Sequence, residues 1–386
     1  MHIQNPTHEN RLDSLRGYAA FIVVIHHCLL TFTFSGTNYA LPSLFEPAWQ
    51  PTSWQQVINR LLLAIIGDGP AFVLLFFVLS GYVITSSLHK KNVSKIFEYF
   101  LYLIRRALRI YPAHLAAIFL IIFCIIPFKD FSKPLNEIYA PWFNFWPHKF
   151  SIREILENLT LLTAPSNSIN NVTWSLYYEI YGSLFLPLFY WFNKKTNFSL
   201  QFLFLITLIY CGKHEVFLPV SPVLRYLYCF YLGSFLFWNF DLIAKKLRFF
   251  ISKKILLITI FLLIPAIRLF LAGTMNYVIN LLESIAAALL ILNCIATKNQ
   301  KNFLDGKFFT DLGKISYSFY IIQVPIIYLT FFALTKIFSD SVLIDYGLYL
   351  QLFTTFITLI FTFCAAKILY QFVELPCLKL GKKITQ

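Results

Sequence analysis

The chain has 386 residues, of which 58% are hydrophobic and only 13% are charged, and its mean hydropathy is +0.66. This composition excludes an ordinary soluble globular protein and indicates a protein that crosses a membrane several times. The formal net charge of +14 does not indicate nucleic-acid binding, because the Lys and Arg residues lie between apolar runs, where basic residues set membrane orientation.

The hydropathy pattern predicts an all-α polytopic membrane protein with about ten transmembrane helices. The apolar runs are near residues 12–34, 61–87, 107–128, 173–192, 198–212, 221–240, 255–272, 277–297, 315–338 and 347–370. Most of the 32 Lys and Arg residues fall on the same side as the N-terminus. Because basic residues favour the cytoplasmic side, both termini are expected in the cytoplasm. The whole chain, residues 1–386, is interpreted as a single integral membrane domain.

The first span carries ionisable side chains that are costly inside a bilayer. Arg16 stands near one end of this span, and His26 and His27 lie past its middle. His27 follows Arg16 by eleven positions, which is close to three full turns, so both lie on one helix face roughly 16 Å apart. His26 points about 100° away from that face. The spacing therefore selects Arg16 and His27 as a functional pair.

A second group of cations precedes the third span. Arg106 and Arg109 are three residues apart, so they share a helical face and can grip a phosphate, although basic anchors at the start of a span are an equal alternative. In the second span, Ser80 and Gly81 interrupt a strongly apolar helix. Close helix packing is the favoured interpretation there, and Ser80 is kept as a candidate substrate contact.

The fourth span contains a carboxylate near its predicted outer end. Glu179 lies at a depth similar to that of His27, so it is expected to accept a hydrogen bond from His27 if the two helices are neighbours, or else from its own tyrosines. Further polar and aromatic side chains are candidates for substrate contact, namely Trp174, Ser175, Tyr317 and Tyr320. The Cys residues form no CxxC pair, and no metal site is predicted.

Six segments occur in the order found in a known family: LDSLRGYAAFIVVIHH, FFVLSGYVI, RRALRIYP, WSLYYEIYGSLFLP, LGKISYSFYIIQVP and VELP. Together they resemble the integral membrane acyltransferase 3 family over nearly the whole chain. In that family an arginine, ten intervening residues and a histidine mark the first helix, and Arg16 and His27 match this pattern. Arg106 and Arg109 correspond to its paired arginines, whereas Gln323 stands where many members have histidine.

The resemblance implies transfer of an acyl group, most often acetyl from acetyl-CoA, to a hydroxyl of a carbohydrate such as lipopolysaccharide O-antigen or exopolysaccharide. It implies a bacterial inner membrane location and a glycan or lipid-linked glycan acceptor. No fused soluble esterase-like domain is expected, so an esterase-like partner would be a separate chain. On this hypothesis Arg16, Arg106 and Arg109 hold the CoA phosphates, and His27 acts as general base or carries the acyl group, with Glu179 as its support.

The alternative function is transport. The same intramembrane charges would then line a path for a lipid-linked sugar or another small molecule, as in a flippase. No inverted repeat of interrupted helices supports this alternative. Saturable binding of acetyl-CoA separates the two functions, because a plain transporter has no reason to bind it.

Overall fold

A computed structural model describes residues 6–32, 53–66, 68–91, 96–126, 150–163, 168–214, 221–247, 277–297 and 303–384. These residues form helices and connecting turns. The α-helices are α1 (Pro6–Leu29), α2 (Trp54–Ile65), α3 (Gly69–Lys91), α4 (Ile96–Leu120), α5 (Ile152–Thr160), α6 (Thr173–Lys195), α7 (Phe198–His214), α8 (Ser221–Trp238), α9 (Phe240–Lys246), α10 (Tyr277–Ala296), α11 (Lys307–Lys314), α12 (Ser316–Ile337), α13 (Asp340–Asp345), α14 (Gly347–Leu369) and α15 (Leu375–Ile384).

Two π-helical turns extend long helices. The first, Ile121–Ile125, continues α4, and the second, Tyr370–Glu374, joins α14 to α15. In the second turn Glu374 is buried and accepts a hydrogen bond from the Ser318 hydroxyl at 2.6 Å. This bond satisfies a carboxylate inside the bundle, and it ties α12 to the junction with α15.

Five described helical segments are long and apolar enough to cross a membrane, and a sixth qualifies if the bent pair α8–α9 is one span. The prediction of about ten spans exceeds this number. α1 and α6 occupy the predicted spans 12–34 and 173–192 without being among the segments that qualify. Both carry charged groups turned towards the protein interior, which lowers their hydropathy. α7 has only 17 residues, and the predicted span 255–272 lies outside the described residues.

The bundle is built around α3, which packs against α1, α6, α8 and α10. Most of its residues are buried, as expected for a helix that is apolar on all sides. A second group of helices is centred on α12, which packs against α1, α4 and α14. The last helix, α15, packs against α4. This arrangement surrounds a space between α3, α4, α6 and α12.

The crossing of α3 and α8 depends on two glycines. A Cβ atom added at Gly233 would overlap the carbonyl oxygen of Val78, and one added at Gly81 would overlap the carbonyl oxygen of Phe230. Both obstacles are backbone atoms, which cannot move aside as a flexible side chain can. The predicted packing role of the Ser80–Gly81 interruption is therefore confirmed for Gly81, while Ser80 faces the space described below.

Gly233→Ala should lower the stability of the protein by about 2 kcal/mol or more, because two helix backbones must separate to admit the methyl group. The measurement is the midpoint of thermal unfolding of the detergent-solubilised protein. Gly381→Ala is the matched control, because the nearest atom to its added Cβ would be Leu108 Cδ1 at 3.5 Å, an ordinary contact. Equal midpoints for the two variants would contradict the close crossing.

Candidate active site

An elongated cavity of about 390 Å³ lies between α1, α3, α4, α6, α12 and α15. One face of α3 forms its long wall, through side chains that recur every three or four residues: Val73, Phe76, Phe77, Ser80, Val83, Ile84, Ser87, Leu88 and Lys91. From Val73 to Lys91 this wall rises by roughly 27 Å. The cavity is therefore long enough for an extended ligand, with an aromatic end near Phe76 and a charged end at Lys91.

Positive charge dominates the cavity wall. Six cationic side chains line it: Arg16, Lys91, Arg105, Arg106, Arg109 and Lys382. Glu179 is the one carboxylate among the described residues that line it. Because like charges gathered in one space repel each other, such an excess is best balanced by an anion carrying several charges.

Arg106 and Glu179 form an ion pair inside this cavity. Arg106 Nη2 donates to Glu179 Oε1 at 2.8 Å, and Arg106 Nε donates to the Ser183 hydroxyl at 3.0 Å. α4 begins at Ile96, so Arg106 lies well inside its helix rather than at the start of a span near residue 107, as the sequence predicted. The helix thus begins about eleven residues before the predicted span, and Arg105, Arg106 and Arg109 all line the cavity, as the phosphate alternative for Arg106 and Arg109 requires.

Arg16 and Arg109 complete the inner part of the charged wall. Arg16 Nη1 donates to Asp13 at 2.7 Å, and its side chain is 15% exposed. Arg106, Arg109 and Glu179 all act electrostatically on Arg16. Arg109 is half-buried and makes no hydrogen bond or ion pair with any residue that the structure describes. Its guanidinium donors are therefore available for a ligand.

The start of α1 is fixed outside the cavity by another ion pair. Arg11 Nε and Nη2 donate to the two carboxylate oxygens of Asp305, and Nη1 donates to the Thr297 carbonyl. The hydrogen bonds to Asp305 raise the pKa of Arg11 above its usual value. A bidentate pair of this kind restricts both side chains, so it holds α1 in register beside α11.

Most of the predicted substrate contacts line the aromatic end of the cavity. The Tyr320 hydroxyl lies 2.7 Å from the Ser175 hydroxyl, and its ring packs edge-on against Phe76. Tyr317 also lines the cavity and donates to the Ile110 carbonyl at 2.6 Å. Trp174 does not line it. Its ring instead packs against Tyr178 and Tyr226.

His27 lies just beyond this end of the cavity. The chain from α11 into α12 runs beside α1 in the same direction, since Gly17 of α1 meets Gly313 of α11 and, ten residues later along each segment, His27 of α1 meets Gln323 of α12. Tyr320, which lines the cavity, is three residues before Gln323. His27 is thus about one helical turn, roughly 5 Å, past the cavity wall.

Gln323 determines which nitrogen of His27 carries the proton. His27 Nδ1 lies 3.0 Å from Gln323 Oε1, while Gln323 Nε2 donates to the Tyr320 carbonyl at 2.8 Å. The second bond fixes Oε1 as the acceptor that faces His27, so Nδ1 must be the donor. The neutral ring then keeps its lone pair on Nε2, which is the basic nitrogen of this tautomer.

This geometry corrects the predicted partner of His27. The carboxylate of Glu179 accepts from Arg106, and an amide, not a carboxylate, faces Nδ1 of His27. The sequence argument compared depths from predicted span ends and made the contact conditional on α1 and α6 being neighbours, with the tyrosines of α6 as the alternative partners. Glu179 remains in the candidate site as a wall residue between the cations and Ser175.

His26 has a different environment from that of its neighbour. It is buried, and its ring lies directly beside the backbone of Gly69. His27 is only half-buried and points towards α12. The separation of the two histidines that helical spacing predicted is therefore present in the structure.

Sequence reasoning singled out Gln323 only as a departure from the family pattern and did not pair it with His27, and it did not connect Lys91 and Lys382 with the arginines of α4. A neutral amide gives no signal in a charge or hydropathy pattern, although its position three residues after Tyr320 on an apolar helix was visible. Lys91 and Lys382 were counted only as basic residues of the N-terminal side. Their convergence depends on α15 folding back onto α4, which no local pattern specifies.

A family model for an acyltransferase domain, that of the acyltransferase 3 family, matches residues 9–371. The chain belongs to the acyltransferase 3 family. This membership makes it a membrane acyltransferase, and it confirms the family resemblance of the six sequence segments. Comparisons with curated proteins and with solved structures each gave no match. The family covers the residues that line the cavity except those of α15, Leu378, Gly381 and Lys382.

Proposed function

We propose that this acyltransferase transfers an acetyl group from acetyl-CoA to a hydroxyl of a cell-surface glycan or its lipid-linked precursor. The assignment of acetyl-CoA as the donor is supported by the cavity, which has six cations at one end and aromatic side chains at the other. CoA has the same polarity, since a polyanionic nucleotide is joined by an extended arm to an uncharged thioester. The charged end would open to the cytoplasm, where acetyl-CoA is made.

The chemistry follows from the position of His27. With the thioester near Tyr320, an acceptor hydroxyl between it and His27 gives its proton to Nε2 as its oxygen attacks the thioester carbon. The carbon–sulfur bond then breaks, and the CoA thiolate leaves along the cavity. Gln323 holds His27 in the tautomer that can accept this proton. Gln323 is therefore a positioning residue in this proposal.

The acceptor is proposed from the family resemblance, which points to O-antigen, other lipopolysaccharide or exopolysaccharide hydroxyls. Mass spectrometry of surface glycans from cells with and without the protein tests this part. A mass difference of one acetyl group per repeat unit is the expected result. Identical glycans together with normal acetyl-CoA binding would direct the search to a small-molecule acceptor.

Saturable binding of acetyl-CoA to the purified protein in nanodiscs tests the donor against the transporter alternative. Arg109→Gln should weaken this binding by about 10- to 100-fold, since a charge-assisted hydrogen bond contributes about 1.5–3 kcal/mol. Lys314→Gln is the matched control, because Lys314 is exposed and pairs with Asp311 away from the cavity. Absence of saturable binding to the native protein would contradict the proposal and favour transport.

A further inference from the structure

The cations of the cavity fall into two sets at two depths. The inner set is Arg16, Arg106 and Arg109, and the rim set is Lys91, Arg105 and Lys382. In the inner set the Arg16 and Arg106 side chains are 15% and 13% exposed, and Arg109 is half-buried and lies one helical turn beyond Arg105 on α4. In the rim set, Lys91 and Lys382 are exposed and Arg105 is half-buried. One long cavity thus presents two successive positions for anionic groups.

The rim set is assembled from three helices. Lys91 is the last residue of α3, Arg105 lies on α4, and Lys382 lies on α15. Lys91 and Arg105 act on each other electrostatically. α15 packs closely at the same place, since a Cβ atom added at Gly381 would lie 3.7 Å from Arg105 Cγ. The three cations therefore converge on one region at the charged end.

We propose that the rim set is a separate subsite for the 3′-phosphate of the CoA nucleotide, an inference that rests on the proposed donor. In CoA the arm is followed by the pyrophosphate and then by the ribose with its 3′-phosphate. With the thioester at Tyr320, the pyrophosphate meets the inner set and the 3′-phosphate meets the rim set. The order of the anions along the ligand is thus the order of the cations along the cavity.

A phosphate of the bilayer offers the rim set the same chemistry as the 3′-phosphate of a nucleotide. Two features favour the nucleotide. The rim side chains line the same cavity as the inner set, and α15 packs beside Arg105 at Gly381. The test below is run in zwitterionic nanodiscs and repeated with anionic lipid, so that the two phosphate sources give different results.

The experiment compares acetyl-CoA with acetyl-3′-dephospho-CoA, which lacks only the phosphate assigned to the rim. Native protein should bind the dephosphorylated donor about tenfold more weakly. Lys91→Gln/Lys382→Gln should weaken acetyl-CoA binding by a similar factor and leave binding of the dephosphorylated donor nearly unchanged. Arg109→Gln should weaken both donors equally, because both retain the pyrophosphate.

Equal binding of the two donors by native protein would overturn the subsite. A double variant that loses affinity for both donors by the same factor would also overturn it, as would a discrimination that disappears when anionic lipid is added. Native protein that binds neither donor would overturn the proposed function as well. Normal binding of acetyl-CoA without discrimination would overturn the subsite alone.

Discussion

Replacing His27 with alanine should lower the rate of acetyl transfer at saturating acetyl-CoA by about 10²- to 10⁴-fold, the usual contribution of a general base. Binding of acetyl-CoA should change little, because His27 lies beyond the cavity wall and the cations that would hold the nucleotide lie at the other end. The measurement is transfer of labelled acetyl in membranes at matched protein levels. A loss confined to the transfer step separates a chemical role from a binding role.

His26→Ala is the control for this variant. The two histidines are adjacent and in ring contact, with centroids 5.5 Å apart, so both substitutions change the same part of α1. His26 faces Gly69, and its loss should affect packing and protein yield more than transfer per folded molecule. Transfer by His27→Ala within tenfold of native, or an equally severe loss in His26→Ala, would contradict the assignment.

Gln323→Leu should lower the rate of transfer by about 10- to 100-fold at unchanged acetyl-CoA binding. Leucine removes the acceptor for Nδ1 of His27, so the ring is no longer held with its lone pair on Nε2, and a buried donor loses its partner. The measurement is the separation of the maximal rate from the KM for acetyl-CoA. Gln323→His, which restores an acceptor nitrogen, should recover much of the rate.

The matched control is Gln201→Leu. Gln201 is also buried, and both ends of its amide are bonded, through donation to the Asn193 carbonyl and acceptance from Asn239. It lies on α7, away from the cavity, so its loss should reduce stability without changing transfer per folded molecule. A decrease in rate for Gln201→Leu as large as that for Gln323→Leu would show that the effect is structural.

The first helix could be interpreted from sequence because its signals are local. The spacing of Arg16 and His27 on one helix depends only on helical geometry, and the structure keeps both on α1 with the predicted separation of His26 from His27. The gathering of Arg16 with Arg106 and Arg109 was expected from the phosphate hypothesis, and all three line one cavity. The spacing on α1 needed no knowledge of which helices are neighbours, whereas the gathering of the three arginines was expected only from the family resemblance.

The failures depend on tertiary contacts. The start of the third span was placed near residue 107 from the charge pattern, whereas the helix itself begins at Ile96 and continues through Arg105, Arg106 and Arg109. The predicted contact between Glu179 and His27 has the same weakness, because the depths of both residues were measured from the ends of predicted spans. A polar cavity inside a helical bundle keeps charged side chains away from lipid. A hydropathy profile along the sequence cannot detect such a cavity.

Photolabelling with an acyl-CoA that carries a diazirine on its acyl chain tests the central claim most directly, because it reports where the acyl end of the donor lies. The account predicts label on the α3 segment from Val73 to Ser80 or on α12 near Tyr320, with labelling suppressed by excess acetyl-CoA. Label that is not suppressed by acetyl-CoA, or that falls on exposed residues away from the cavity such as Phe123 and Phe372, which are 66% and 74% exposed, would contradict it.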